Sequence, residues 1–484
     1  MPEPRTWQLA AGSAVLGLAL AAGAVAAAGP WDNGQRKAER ARAVAAGTTG
    51  GAHHAGAPAA APRRPAPAPS AAGVLRALGT PAGPGTTATR KGDDLAAVLV
   101  PLLADPGLGP LRTASVVDTA TGRQLYGEGA GTPMTPASTV KIATAAAALS
   151  ALGPDHRIAT STVAAPDGRT VTLVGGGDPT LDKARLKALA DATARALRTR
   201  ANPVHVRLTY DTSLYKGPEL HPIGRNENIA PLSALMTDEG RLDDSRSGPA
   251  PRTADPAGET ATAFAELLRK AGVTVDGDPA PGRAPKAPQA KTAGATQAAP
   301  LARTYSAPLA DLVERTLTNS DNDLAEALAR QTALARRQPA SFAGAAKAVH
   351  DELARLGLPL AGAHFADGSG LDRRDRVSAA LLTGILTRAA DPARPTLRPV
   401  LTGLPVGGFS GTLAGRFGTG PAASGAGLVR AKTGTLTGVN TLAGTVVTAD
   451  GRLLAFAFLA GRTTSPDTAQ PALDRLSAAL APPR

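Results

Sequence analysis

One segment suits the centre of a folded domain. Thr135 has the chemistry of a helix N-cap, Pro136 suits the first helical position, and Gly153-Pro154 ends the helix. Between them, Ala143 to Ala148 is small throughout, five Ala and Thr144. Such a run suits a central helix against which other elements pack closely.

The flanking segments supply those elements. Arg112 to Asp118, the turn Thr119-Ala120-Thr121-Gly122, and Arg123 to Tyr126 predict a hairpin leading out of a preceding helix. Near the other end, Asn440 to Ala449 and Arg452 to Gly461 flank Asp450-Gly451, the strongest short hairpin signal. A final helix is expected after Pro466, with Leu473, Leu476 and Leu480 at helical spacing. Early and late strands therefore predict one antiparallel sheet, with helical material between them, in a mixed α/β fold. A Pro/Ala/Lys-rich stretch from Asp278 to Pro300 reads as a loop or domain edge.

The first 92 residues read differently. Arg5 precedes an uncharged run from Thr6 to Pro30, long enough to span a membrane, with Arg36, Lys37, Arg40 and Arg42 behind it. Ala24 and Ala26 also offer a small-residue cleavage site. Residues 1–31 are thus expected to be either a membrane anchor or a signal peptide, and either one takes the rest of the chain out of the cytoplasm. Residues 32–92, exemplified by Ala59-Ala60-Ala61-Pro62-Arg63-Arg64-Pro65, cannot bury enough surface to offset their ordering entropy and read as a tether.

Composition excludes several chemistries. The 484 residues contain no Cys, which removes disulfides, thiolate metal sites, iron–sulfur clusters and a cysteine nucleophile. Of the net charge of +13, residues 1–92 carry +7, leaving a modest +6 on the remainder. With aromatics at 3%, there is little on which bases could stack, which argues against nucleic acid as a partner. The seven His show no ligand spacing, and neither metal nor cofactor is expected.

The candidate chemistry begins at Ser138-Thr139-Val140-Lys141. Ser138 falls in the first turn, where a backbone N–H lacks an intrahelical acceptor and the helix dipole favours negative charge. Lys141, three residues on, shares its face. Burial favours the neutral amine, which can then serve as base to the serine. The S-x-x-K pattern by itself is weak, and Ser213-Leu214-Tyr215-Lys216 also fits it. That copy follows the strand-like Val204 to Tyr210 and runs into Gly217-Pro218, so it is read as structural. Two more elements occur once each and in order: Ser320-Asp321-Asn322, between helical segments Leu309 to Leu317 and one opening at Leu324, and Lys432-Thr433-Gly434-Thr435 on a strand-like Leu428 to Leu436.

With these three motifs, the chain resembles the penicillin-binding D-alanyl-D-alanine carboxypeptidases, specifically their low-molecular-mass class C group, which includes endopeptidases. Longer strings extend the resemblance over residues 93–484: Gly175-Gly176-Gly177-Asp178-Pro179-Thr180-Leu181, Asp367-Gly368-Ser369-Gly370-Leu371 and Ser410-Gly411-Thr412-Leu413. The resemblance implies a serine transpeptidase/β-lactamase-like domain, residues 93–160 and 301–484, with a smaller mixed domain inserted at 161–300. It also implies an acyl-enzyme mechanism on peptidoglycan stem peptides ending in D-Ala-D-Ala, with β-lactams as inhibitors. Ser138 would be the nucleophile, Lys141 its general base, and Ser320 the relay to the leaving nitrogen. Asn322 would bind the substrate amide, and Lys432 would keep the Ser320 region electropositive. Thr433 and Thr435, on one strand face, would grip the terminal carboxylate, and the N–H groups of Ser138 and Thr435 would hold the oxyanion. Gly434 would leave room beside Lys432. Asp367 and Asp372 read as turn chemistry, and Arg416 and Arg430 as a solvated or structural pair. A β-lactamase, an esterase of similar architecture and a silent wall-binding protein are the competing readings.

Overall fold

The computed structural model describes residues 92–166, 168–200, 204–285 and 300–482. The expected anchor or signal segment and all but the last residue of the tether lie outside these residues. No helix among the described residues is long and apolar enough to cross a membrane.

A five-stranded antiparallel sheet forms the frame, in the order β2-β1-β11-β10-β9. β1 (Leu111–Asp118) and β2 (Gln124–Glu128) form the expected first hairpin. The Asp118 carboxylate accepts the N–H groups of Ala120 and Thr121, which closes its turn. β10 (Val439–Val447) and β11 (Leu453–Gly461) form the second hairpin, where Gly451 takes the left-handed conformation (φ +76°) that the turn requires. β9 (Val429–Leu436) pairs with β10 and is the edge strand.

Alternation along the strands gives the sheet two apolar faces. Ala114, Val116, Phe456 and Phe458 pack with Leu95, Leu99 and Leu103 of α1 (Gly92–Leu103) on one side. The C-terminal helix packs there as well, through Leu473, Leu476 and the following Leu480. On the other face, Ala443, Ala455, Ala457 and Leu459 join the larger core around α2 (Lys141–Leu152). Every residue of α2 from Lys141 to Leu149 is buried, so the helix expected at the centre lies there. Around it stand α5 (Leu309–Asn319), α6 (Asn322–Ala335), α7 (Phe342–Arg355) and α8 (Ala379–Ala390).

The segment between α2 and α5 builds a second, mixed sheet. β3 (Ala159–Ala164), β4 (Thr170–Val174), β5 (His205–Asp211), β6 (Thr274–Val275) and β8 (Pro300–Tyr305) form the path β6-β5-β4-β3-β8, with β7 (Ala280–Pro281) also on β5. β3 pairs antiparallel with β4 and β8, whereas β4, β6 and β7 run parallel to β5. Helices α3 (Lys183–Arg198) and α4 (Pro256–Lys270) cover it with amphipathic faces, Leu186, Leu189, Phe264 and Leu268 pointing inward. Closing the chain is α9 (Pro466–Ala478).

Candidate active site

The turn that carries Ser138 departs from the expected cap. Residues Ala137–Val140 form a 3-10 turn, and the α-helix begins only at Lys141. Ala137 has φ +48°, an unfavourable conformation for a residue with a Cβ, and it breaks the helical path between Pro136 and Ser138. Thr135 therefore does not cap: its hydroxyl donates to Arg373 O (3.4 Å) and accepts from Arg376 Nη1 (3.0 Å). The strained turn is held by the Pro136 carbonyl, which accepts hydroxyls from Thr139 and from Thr441 of β10, both at 2.7 Å. Backbone strain at a position that presents a side chain marks candidate functional sites.

Lys141 is fully buried. Its Nζ contacts Ser138 Oγ at 2.9 Å, Asn322 Oδ1 at 2.7 Å and the Ser369 carbonyl at 2.6 Å. Burial lowers its pKa to about 8, against the opposing charges of Asp367, Asp321, Glu326 and Asp375. The two shortest contacts are to atoms that can only accept. A neutral amine has two N–H groups and one lone pair. With both N–H groups directed to Asn322 and Ser369, the lone pair falls toward Ser138.

Ser320 terminates α5 in the left-handed conformation (φ +58°), its N–H reaching Thr316 O. Asp321 caps the next helix by accepting Leu324 N–H at 3.0 Å, so α6 opens at Asn322, two residues before the expected Leu324. Asn322 Nδ2 donates to Asn228 O at 3.0 Å, which orients Oδ1 toward Lys141. Ser138, Ser320, Asn322, Thr433 and Thr435 line one cleft of about 400 Å³. Its far wall comes from the inserted segment, including Asn228, Arg241 and Arg252.

Lys432 and Gly434 lie behind this cleft. Lys432 is fully buried, donates to Thr433 O at 2.8 Å, and has its pKa pushed well below the lysine range by burial and then by Lys141. The space kept by Gly434 lies against the turn that carries Ser138. A Cβ there would crowd Thr441 Oγ1, stand 2.7 Å from Pro136 O and 3.1 Å from Ser138 N. The outward threonines are tied to their surroundings: Thr433 Oγ1 donates to Thr412 Oγ1 at 2.8 Å, and Thr435 Oγ1 accepts from Gln470 Nε2 at 3.4 Å. Arg416 lines the cleft while held by Asp474 through Nε (2.9 Å) and Nη2 (2.6 Å).

The second S-x-x-K segment is built otherwise. Lys216 Nζ bonds the backbone carbonyl of Ser213, on an irregular stretch after β5 and in a separate cleft. Two buried acidic clusters, Glu239/Asp321/Asp323 and His221/Glu326/Asp367, have the proximity that a metal site needs. Arginines already neutralise them: Arg252 pairs with Asp323 (2.7 Å), Arg241 and Arg315 with Glu239, and Arg330 with Glu326 (3.1 Å). Sequence reasoning missed Ser369 and Asn228 because both act through backbone carbonyls, for which residue type is no signal.

Comparison with known proteins follows the same lines. The model of the D-Ala-D-Ala carboxypeptidase 3 (S13) family matches residues 95–247 and 245–480. The chain belongs to this family. Among S13 relatives, Carboxypeptidase DacB of Mycolicibacterium smegmatis is 36% identical over 88% of this chain and 91% of its own. The D-alanyl-D-alanine carboxypeptidase of an Actinomadura species is 32% identical over 73% and 78%. Penicillin binding protein 4 of Haemophilus influenzae shares the S13 chain's fold, with TM-score 0.62 and 22% identity over 79% of this chain and 97% of that one.

Proposed function

We propose that the chain is a serine D-alanyl-D-alanine carboxypeptidase that acts on peptidoglycan stem peptides through an acyl-enzyme on Ser138. The observation that carries this reading is the buried Lys141 amine, whose two N–H groups have acceptors other than Ser138. Neutral Lys141 takes the Ser138 proton as Oγ attacks the carbonyl of the penultimate D-Ala. The N–H groups of Ser138 and Thr435 hold the resulting oxyanion. Ser320 passes a proton to the departing D-Ala nitrogen, the C–N bond breaks, and the acyl group stays on Ser138 until water releases it. Asn322 aligns the substrate amide, and Lys432 of β9, its pKa pushed well below the lysine range by burial, acts near Ser320 as a buried N–H donor rather than as the positive charge the resemblance implies. Thr433 and Thr435 face the terminal carboxylate. Strained β-lactam amides enter by the same route and leave slowly. The substrate lies in the cell envelope, so residues 1–31 would serve export or anchoring, and residues 32–92 would let residues 93–484 reach the wall.

Fluorescent penicillin and a pentapeptide ending in D-Ala-D-Ala test the reading together. Stable labelling with D-Ala release is expected from the wild type. Rapid drug turnover without D-Ala release would make it a β-lactamase, and neither signal a silent wall-binding protein. Ser138→Ala is expected to lose all labelling, whereas Ser213→Ala should keep it. Labelling that survives Ser138→Ala would identify a different nucleophile. Adding a cross-linked dimer substrate measures the share of endopeptidase activity.

A further inference from the structure

His221 lies between β5 and α4, far in sequence from the three motifs, and its imidazole is fully buried. Nδ1 accepts Ile223 N–H at 3.3 Å, so the proton sits on Nε2, which donates to Asp367 Oδ2 at 2.9 Å. Phe342 stands edge-on to the ring at 5.5 Å. Asp367 is the hub of the turn that follows. Its Oδ1 accepts the N–H groups of Ser369 (3.0 Å) and Gly370 (2.6 Å), and its Oδ2 accepts Asp372 N–H (2.8 Å) and the Ser369 hydroxyl (3.1 Å). From α6, Glu326 Oε1 adds bonds from Gly368 N–H (2.9 Å) and Ser369 N–H (3.0 Å). Gly370 (φ +84°) is pressed against Ala137, where a Cβ would collide with the carbonyl. Together these bonds fix the direction of one carbonyl, that of Ser369, which meets Lys141 Nζ at 2.6 Å.

We propose that His221 is a positioning residue for acylation: its Nε2–H anchors Asp367, which holds the Ser369 carbonyl on Lys141 and so keeps the amine lone pair on Ser138. The proposal rests on the Ser138–Lys141 reading above. It makes the inserted segment a working part of the base rather than only a wall of the cleft.

The sign of the pH effect follows from the charges present. Around the turn stand Asp367, Asp372, Asp375 and Arg374, with Glu326 and Arg330 from α6. Lys141 itself feels Asp367, Asp321, Glu326 and Asp375, and opposite them Lys432. Burial opposes ionisation of Asp367, but hydrogen bonds from His221 and Gly370 outweigh it and hold the carboxyl at about 2. The Asp367 charge and the Ser369 carbonyl both favour the Lys141 ammonium. Loosening either therefore moves the acid limb of acylation to lower pH, while the misdirected lone pair lowers the plateau rate.

Penicillin acylation of the full chain tests this, with initial binding separated from the first-order acylation step across the pH range, for wild type, His221→Leu and His221→Gln. The Leu variant is expected to acylate at least about tenfold more slowly, since small misplacements of reacting groups cost up to about 100-fold. Its initial binding should stay within about twofold of wild type and its acid limb should move to lower pH. The Gln variant, which can still donate an N–H to Asp367, should recover most of the rate and the limb. Wild-type rate and limb in the Leu variant would overturn the proposal. So would equal losses in both variants with an unmoved limb, since that pattern is structural. A wild type that penicillin acylates keeps those outcomes separate from failure of the functional reading, which would show instead as no acylation of any form.

Discussion

At the residue scale, two buried lysines carry the proposed chemistry and its stability cost. Burial holds Lys141 at about 8, below its ordinary value, so the neutral base appears as pH rises through that region. Acylation by penicillin should therefore climb with pH through about 8 and level off above it; a profile flat from pH 6 to 9, a window set about that value, would mean that Lys141 is not the titrating base. Lys141→Arg should be as inactive as Lys141→Ala, because a guanidinium stays protonated. Lys432 is fully buried, and burial lowers its pKa too. Between its depressed folded value and its ordinary unfolded one, the unfolded chain binds more protons, so stability rises with pH there and the amine is a liability at neutral pH. Lys432→Met is accordingly expected to raise the thermal midpoint by a few degrees, about 1 kcal/mol or more, while acylation falls. A lower midpoint in thermal unfolding would show that the amine stabilises the fold. These lysines were legible as site candidates because each sits in a short motif. The strained Ala137 was not, since alanine carries no preference for positive φ.

Element by element, the site is a junction of pieces that cap one another. β9 approaches the Ser138 turn so closely that only a glycine fits at residue 434. Gly434→Ala must push the strand off the Pro136–Ser138 backbone, at a cost of about 1–3 kcal/mol for an overpacked contact. The expected outcome is acylation at least about tenfold slower, equivalent to about 1.4 kcal/mol, with folding retained. Wild-type acylation by Gly434→Ala would mean that the strand-to-turn spacing is not critical. Both hairpins, the central helix and the terminal helix could be read from turn residues and periodicity, signals that act within a few residues. The start of α6 was displaced because Asp321 caps it, although Asn322 also serves Lys141. Ser320 serves two elements likewise, ending α5 in a left-handed conformation that its residue type does not announce.

For the whole molecule, α1 shows where the folded unit must begin. Leu95, Leu99 and Leu103 are buried in one apolar cluster with side chains of the five-stranded sheet and the C-terminal helix. Burying one such side chain contributes about 1.5–3 kcal/mol, so losing all three removes about as much as the total stability of many domains, about 5–15 kcal/mol. A chain beginning at Gly92 should fold and be acylated, whereas one beginning at Asp105 should unfold at a much lower temperature or aggregate. Equal thermal midpoints would show that α1 is dispensable. The inserted segment is joined to α6 by Arg252–Asp323 and Asn228–Asn322 and to the Asp367 turn by His221–Asp367, contacts between residues 71, 94 and 146 positions apart.

What the sequence determined by itself was local or modular: a buried apolar helix, two hairpins, a basic low-complexity beginning, and three ordered motifs specific enough to point to one family. Turn chemistry, side-chain periodicity and short spacings act over a few residues, so they can be read without a fold. Only the tertiary structure decided which carbonyls hold Lys141, which backbone Gly434 makes room for, and that His221 and Asp367 meet in a sealed interior. Those depend on register and packing between distant segments, and two of the deciding groups, Ser369 O and Pro136 O, are backbone atoms that every residue carries.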